Sequence, residues 1–305
     1  MNTKTAELFE GLTARIVKVI EAGEAGKWNK PWTAMFAASG MPHNATTQKP
    51  YHGFNVLILW ASALENGYET QEWATYKQWQ EKGAQVRKGE HGEKLVKWGF
   101  TFKCSNGHKG QRPCSCDPST QEKFAWASPF TVFNAAQVDG YTPETVEVPG
   151  GFDALAEADA FIEATGAAIV HRAGDRAYYT PGTDTITLPL REQFETPQGY
   201  YGTALHELTH WTGAEHRLSR EKGLVFGDDR YAREELVAEL GATFLAAHLG
   251  VEVEPHDEHA AYLASWLRNL KGDAMYLYRA ARDASKASEF LIETVEANQA
   301  ASEAA

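Results

Sequence analysis

The chain has 305 residues, 43% of them hydrophobic and 23% charged, and carries a formal net charge of −12. That length has room for two domains, each burying a core of its own. No apolar run approaches the ~20 residues of a membrane span, and the opening Met1-Asn2-Thr3-Lys4-Thr5-Ala6-Glu7 lacks the apolar stretch of a signal peptide, so the expectation is a cytoplasmic protein with no membrane partner. Charge is uneven: residues 1–145 hold 16 Lys and Arg against 14 Asp and Glu, a net +2, which leaves −14 for the remainder. Seven of the nine tryptophans (28, 32, 60, 73, 79, 98 and 126) also lie in that front part. A faintly basic, aromatic-rich half fits a polyanion-binding module, and a strongly acidic half does not.

An amphipathic helix opens the chain, with apolar residues at helical spacing from Leu8 to Ile20. Next, Gly26-Lys27-Trp28-Asn29-Lys30-Pro31-Trp32 places two tryptophans and lysines around a proline in a loop. Rings interleaved with cations suit a single strand of nucleic acid, because bases stack on rings while phosphates pair with ammonium groups. Tyr51-His52-Gly53-Phe54-Asn55 leads into a helix from about Val56 to Asn66. Gly83-Ala84-Gln85-Val86-Arg87-Lys88-Gly89 is a basic turn ahead of a strand, Lys94 to Phe100. A second strand, Phe124 to Asn134, reads as its antiparallel partner across a long insertion. Trp32 and Tyr51 are the candidates for stacking on single-stranded DNA, and Arg87 and Lys88 for phosphate contacts. The insertion gathers Cys104, His108, Cys114 and Cys116 within thirteen residues. Three cysteines are a poor disulfide framework and fit a reducing compartment, whereas thiolates with an imidazole suit tetrahedral zinc, which could fold a loop too polar to pack. Their spacing matches no common zinc motif.

Residues Thr142 to Gly151, rich in Pro, Gly, Glu and Val, read as a linker, and a helix from Phe152 to Thr165 opens a second domain. Strands follow at Ala168 to His171, Ala177 to Tyr179 and Thr185 to Pro189. Then comes Leu205-His206-Glu207-Leu208-Thr209-His210-Trp211-Thr212-Gly213, an H-E-x-x-H within an apolar helical pattern. One helical turn sets His206 and His210 on one face, where both can reach one metal ion, and Glu207 can take a proton from a metal-bound water. The pattern points to a zinc metallopeptidase site, with Gly213 marking the helix end. Two third ligands are on offer. His216 completes H-E-x-x-H-x-x-G-x-x-H, the metzincin spacing, but it stands in a polar run. Glu235 and Glu239 lie one turn apart among small and apolar neighbours; there Glu235 would be the ligand and Glu239 would orient a ligand histidine. The residues favour Glu235 without excluding His216. From Glu239 onward the chain reads as helical to its end.

With these stretches laid out, the chain resembles the ArdC family of antirestriction proteins over nearly its whole length. The resemblance rests on Trp28 to Trp32, Tyr51 to Asn55, Gly83 to Gly89, Val132-Phe133-Asn134 with Gln137, His206 to Gly213 and Glu234 to Ala242. In its front half only, the chain also resembles the DNA-binding part of TraC-type plasmid primases. The resemblance implies an α+β protein of two domains, a single-stranded-DNA-binding domain at 1–145 and a helix-rich zincin-like metallopeptidase domain at 152–305. It implies carriage by a plasmid, integrating element or phage, and protection of incoming DNA from host restriction. It favours Glu235 as the third zinc ligand, and the expected peptide substrate of such a site is a host restriction or defence protein. The cysteine cluster is a departure from the family pattern. The rival reading is a protein that shields DNA by coating it, with a metal site that is purely structural.

Overall fold

The structure is a computed structural model. It describes residues 40–143, 152–220, 229–253 and 260–303, with 7, 9–11, 13–15, 17 and 18 of the opening segment. Those opening residues are helical, and Phe9 and Val17 are buried. The loop with Trp28 and Trp32, and the linker residues 144–151, lie outside the described residues.

The front half is a mixed sheet with short helices. In chain order it runs β1 (His43–Asn44), α1 (Phe54–Asn66), β2 (Glu72–Ala74), α2 (Tyr76–Glu81), β3 (Gln85–Val86), β4 (Glu93–Cys104), β5 (Lys109–Gly110), β6 (Gln121–Asn134) and β7 (Val138–Asp139). Sheet order is β1-β2-β6-β4-β5, with β1 parallel to β2 and the other pairs antiparallel. A capping box explains where α2 begins: Thr75 Oγ1 accepts from Gln78 N–H, and Gln78 Oε1 accepts from Thr75 N–H. The expected antiparallel pair is present, in register from Glu93↔Val132 to Cys104↔Gln121. It is longer than its apolar stretches suggested. The twenty-residue insertion is thereby shortened to a tip, and the outer part of the pair forms a ribbon beyond the core, edged by the short β5.

In the back half, α3 (Phe152–Ala164) precedes β8 (Ala168–Arg172), β9 (Tyr178–Thr180) and β10 (Thr185–Pro189). The order β8-β10-β9 makes β9 an edge strand antiparallel to β10. Four helices follow: α4 (Pro197–Thr212), α5 (Asp229–Leu249), α6 (Ala260–Gly272) and α7 (Tyr276–Glu303). The expected unbroken helical run is therefore interrupted. Gly250, at φ 66°, ends α5 in the left-handed region that glycine tolerates best.

Each half keeps an apolar cluster of its own, the front one around Trp79, Val86 and Val138, and the halves also share one. The shared cluster joins Phe54, Leu57, Trp60, Leu95 and Val132 of the front to Leu236, Leu240, Phe244, Leu277 and Ala281 of the back. Trp60 and Phe244 stand 5.7 Å apart between ring centroids. A second cluster, from α3, β10, α4, α5 and α7, lies under the H-E-x-x-H helix. Among the described residues, no helix is long and apolar enough to cross a membrane.

Candidate metal centre

The site is built by α4 and α5 lying side by side. Thr196 caps α4 by accepting from Gly199 N–H, with Pro197 in the first turn, where its missing N–H removes nothing. Close approach of the helices depends on Gly241. A Cβ there would come within 2.5 Å of Thr209 Cγ2 and 2.7 Å of its Oγ1, and Thr209 is fully buried.

At this contact His206 Nε2 and His210 Nε2 lie 3.1 Å apart. Glu235 turns one carboxylate oxygen to each, at 3.5 Å and 3.5 Å. The second nitrogen of each ring also meets an acid: His206 Nδ1 is 3.1 Å from Glu239 Oε1, and His210 Nδ1 is 3.1 Å from Glu234 Oε1. Arg220 reaches into this layer, its guanidinium 2.8 Å from Glu234 Oε1 and 2.6 Å from both Thr212 Oγ1 and the Thr209 carbonyl. All of these acids are buried.

Without a metal ion, the acids carry the histidines. Burial alone would lower both imidazoles, but Glu235 and Glu239 outweigh it at His206, raising it to about 10. Glu234 and Glu235 do the same at His210, raising it to about 9. Burial would raise the acids in turn; His210 with Arg220 instead holds Glu234 down at about 2, and His206 with His210 holds Glu235 well below the usual carboxylate range. Glu207 moves the other way. Burial raises its carboxyl, opposed by the charges of His210 and His206 and by a hydrogen bond from the Tyr179 main chain on β9.

Two imidazole nitrogens and a carboxylate converge on one point, and a carboxylate fixes each ring from behind. That donor set and its backing fit a divalent metal of zinc type. His216 does not join it. Its side chain is 64% exposed and sits 3.5 Å from Asp184 Oδ2. The polar run around His216 is nevertheless not all solvated, because Arg220 is 9% exposed and Arg217 8%. Arg217 stacks over Trp211 at 3.7 Å and pairs with Asp184. Gly213 does end α4, but at φ −77°. What it provides is room, since a Cβ would lie 2.9 Å from Arg220 Nη2.

The metal-free crystal structure of the antirestriction protein ArdC from plasmid R388 has this architecture, with TM-score 0.74 and 38% identity over 95% of this chain and 98% of that one. The present chain belongs to the ArdC family. The Mn(II)-bound structure of the R388 protein gives 0.72 and 36%, over 94% and 97%. Residues 6–133 match the N-terminal domain of anti-restriction factor ArdC, and 156–283 match the zincin-like metallopeptidase family. An uncharacterized protein, y4eC, of Sinorhizobium fredii is 37% identical over 93% of this chain and 91% of its own length. A DNA primase TraC of Escherichia coli is 38% identical over 93% of this chain. The chain spans only 20% of that primase. The likeness to TraC therefore extends through both halves, not the front half alone.

In this ArdC-family chain three of the four residues expected to contact DNA, Tyr51, Arg87 and Lys88, fall among the described residues. Trp32 lies outside the described residues. Tyr51 is half-buried, its hydroxyl donating to the Trp73 carbonyl and accepting from Asn44. Arg87 pairs with Glu90 and donates to the Ala136 and Val138 carbonyls, bracing the turn against β7. Lys88 is exposed in that turn. Rings that sequence reasoning passed over stand on the ribbon instead. Phe100 and Phe124 are 46% and 44% exposed, Lys123 lies 3.8 Å over Phe100, and Lys103 lies 5.0 Å over Phe124. Rings at every second position, Trp98-Phe100-Phe102 and Phe124-Trp126, flanked by Lys97, Lys103 and Lys123, are the signal that could have found them. Tyr51 also borders an open cleft with Lys77, Lys97 and Phe130.

Proposed function

We propose that this cytoplasmic ArdC-family protein protects incoming plasmid or phage DNA from host restriction, binding single-stranded DNA through its front half and carrying a zinc peptidase site in its back half. The observation that carries the peptidase part is the buried convergence of His206, His210 and Glu235 beside Glu207. His206 and His210 would hold the ion through Nε2 and Glu235 through its carboxylate. Glu239 and Glu234 would keep the proton of each ring on Nδ1, leaving Nε2 free to ligate. When bound, zinc supplies Lewis acidity, polarising a peptide carbonyl and making water a better nucleophile near neutral pH. Glu207, its carboxyl raised by burial, would accept the proton of the attacking water and pass it to the leaving amine. The edge strand β9, whose main chain already meets Glu207, offers pairing to an extended peptide, such as a segment of a host defence protein. That the R388 relative has a Mn(II)-bound structure supports the reading that this chain too takes a divalent ion.

Exposed ring and lysine pairs on the ribbon support the single-strand reading, as does the likeness to a DNA primase. The same features favour the second reading, in which coating the strand is sufficient and the metal holds the back half together. A Glu207→Gln variant separates the two in a paired test of protection in vivo. It should retain metal and fold, lose peptide hydrolysis and lose protection; full protection by the variant would rule out proteolysis as the means.

A further inference from the structure

The tip of the β4–β6 ribbon holds a second group of metal-ligand side chains, far in sequence from α4 and α5. Cys104 ends β4, His108 precedes β5, and Cys114 and Cys116 lie in the return to β6. One donor atom from each falls within 4.8 Å of all the others. Cys104 Sγ is 3.8 Å from Cys116 Sγ, and His108 Nδ1 is 3.5 Å from Cys104 Sγ and 3.3 Å from Cys116 Sγ.

These separations have a physical meaning. Two sulfurs each ~2.3 Å from a zinc ion at the tetrahedral angle stand about 3.8 Å apart, and a sulfur with an imidazole nitrogen about 3.5 Å. A disulfide would instead need sulfurs at about 2.05 Å, and all three cysteines are free. The tip has no apolar core to order it, only the short β4–β5 pairing and the turn at Pro118–Thr120 capped by Asp117. From Ser105 to Thr120 there is no Val, Ile, Leu, Met, Phe, Tyr or Trp, and none of the apolar clusters reaches this segment. Gln121 does pull the two ends together, its side-chain amide accepting from Cys114 N–H and donating to the Cys114 and Cys116 carbonyls. That bracket brings the thiols inward, where thiolates would repel one another without a cation.

We propose that Cys104, His108, Cys114 and Cys116 form a structural Cys3His zinc site that closes the end of the ribbon. Four protein ligands leave no open position, so the site is structural and does no chemistry of its own. Its role is to fix the far end of the two strands that present Phe100, Phe124, Lys103 and Lys123.

The test uses full-length protein purified under reducing conditions, stripped with chelator and reloaded with zinc alone or cobalt(II) alone. The wild type should take up two ions per chain. Cys114→Ser with Cys116→Ser should keep one and lose the thiolate-to-cobalt charge-transfer absorption. His206→Ala with His210→Ala should also keep one and retain that absorption, so a failure of the α4–α5 centre is told apart from a failure here. Amide exchange at residues 104–121 should be slowed by zinc in the wild type and in the histidine variant. One ion per chain in the wild type, lost entirely with His206 and His210, would overturn the proposal, as would a cysteine variant that still binds two ions.

Discussion

At the residue scale, the centre rests on pairs in which one partner fixes the other. Glu234 illustrates this: it contacts His210 and is itself held by Arg220 from the loop after α4. Such an acid behind a ligand histidine fixes the ring's tautomer and orientation, and losing it typically costs about 10–100-fold in metal affinity. Glu234→Gln should therefore weaken metal binding on that scale in competition with a chromophoric chelator, while His216→Ala leaves it unchanged; equal affinity for Glu234→Gln and wild type would deny the acid this role. His206, Glu207 and His210 were legible in the sequence because their spacing is that of one helical turn. Glu235 and Glu239 were legible because acids on a face built for packing need partners. Glu234 and Arg220 were not, since nothing local says that a polar loop folds back under a helix.

At the element scale, the contact of α4 with α5 depends on a missing side chain. A methyl group at Gly241 would have to displace Thr209, which is buried and donates to the Leu205 carbonyl. Gly241→Ala should cost about 1–3 kcal/mol through overpacking, outweighing the gain in helix propensity, and should also reduce metal affinity by separating Glu235 from the histidines. Chemical denaturation with and without zinc measures both, and an alanine variant as stable as wild type would contradict the packing account. On the ribbon, Phe100→Ala or Phe124→Ala should weaken single-stranded DNA binding by about 1–3 kcal/mol per stacked base and leave the melting temperature nearly unchanged, because both rings are exposed; unaltered affinity in both variants would move the DNA surface elsewhere. The ribbon's length was hidden in the sequence. Its outermost residues, Lys103-Cys104 and Gln121-Glu122-Lys123, carry no apolar alternation, and pairing there follows from register begun in the core.

At the scale of the whole molecule, the two halves meet at the Tyr51 to Asn55 stretch. Gly53, at φ 57°, donates its N–H to Ser285 Oγ on α7, and His52 Nδ1 lies 2.7 Å from Glu289. Apolar periodicity shows that a face is buried but not against what, so the cluster shared by both halves was not legible in the sequence. The ion pair gives it a pH dependence. Glu289 raises the His52 pKa above its ordinary 6.5, and His52 lowers that of Glu289 below 4.5. The His52 contribution is thus present below about pH 6.5 and lost as pH rises through its folded value, while that of Glu289 is present above about pH 4.5 and lost as pH falls. Wild type should melt above His52→Ala at pH 5.5 and converge with it by pH 9; a constant difference would mean that packing, not charge, sets the effect. The most direct test of the account is the metal content of the α4–α5 centre, measured on chains carrying Cys114→Ser and Cys116→Ser so that this centre alone is counted. Glu235→Ala should lose most of the single bound ion and His216→Ala should keep it; retention in the first variant with loss in the second would place the third ligand at His216 and contradict the geometry described above.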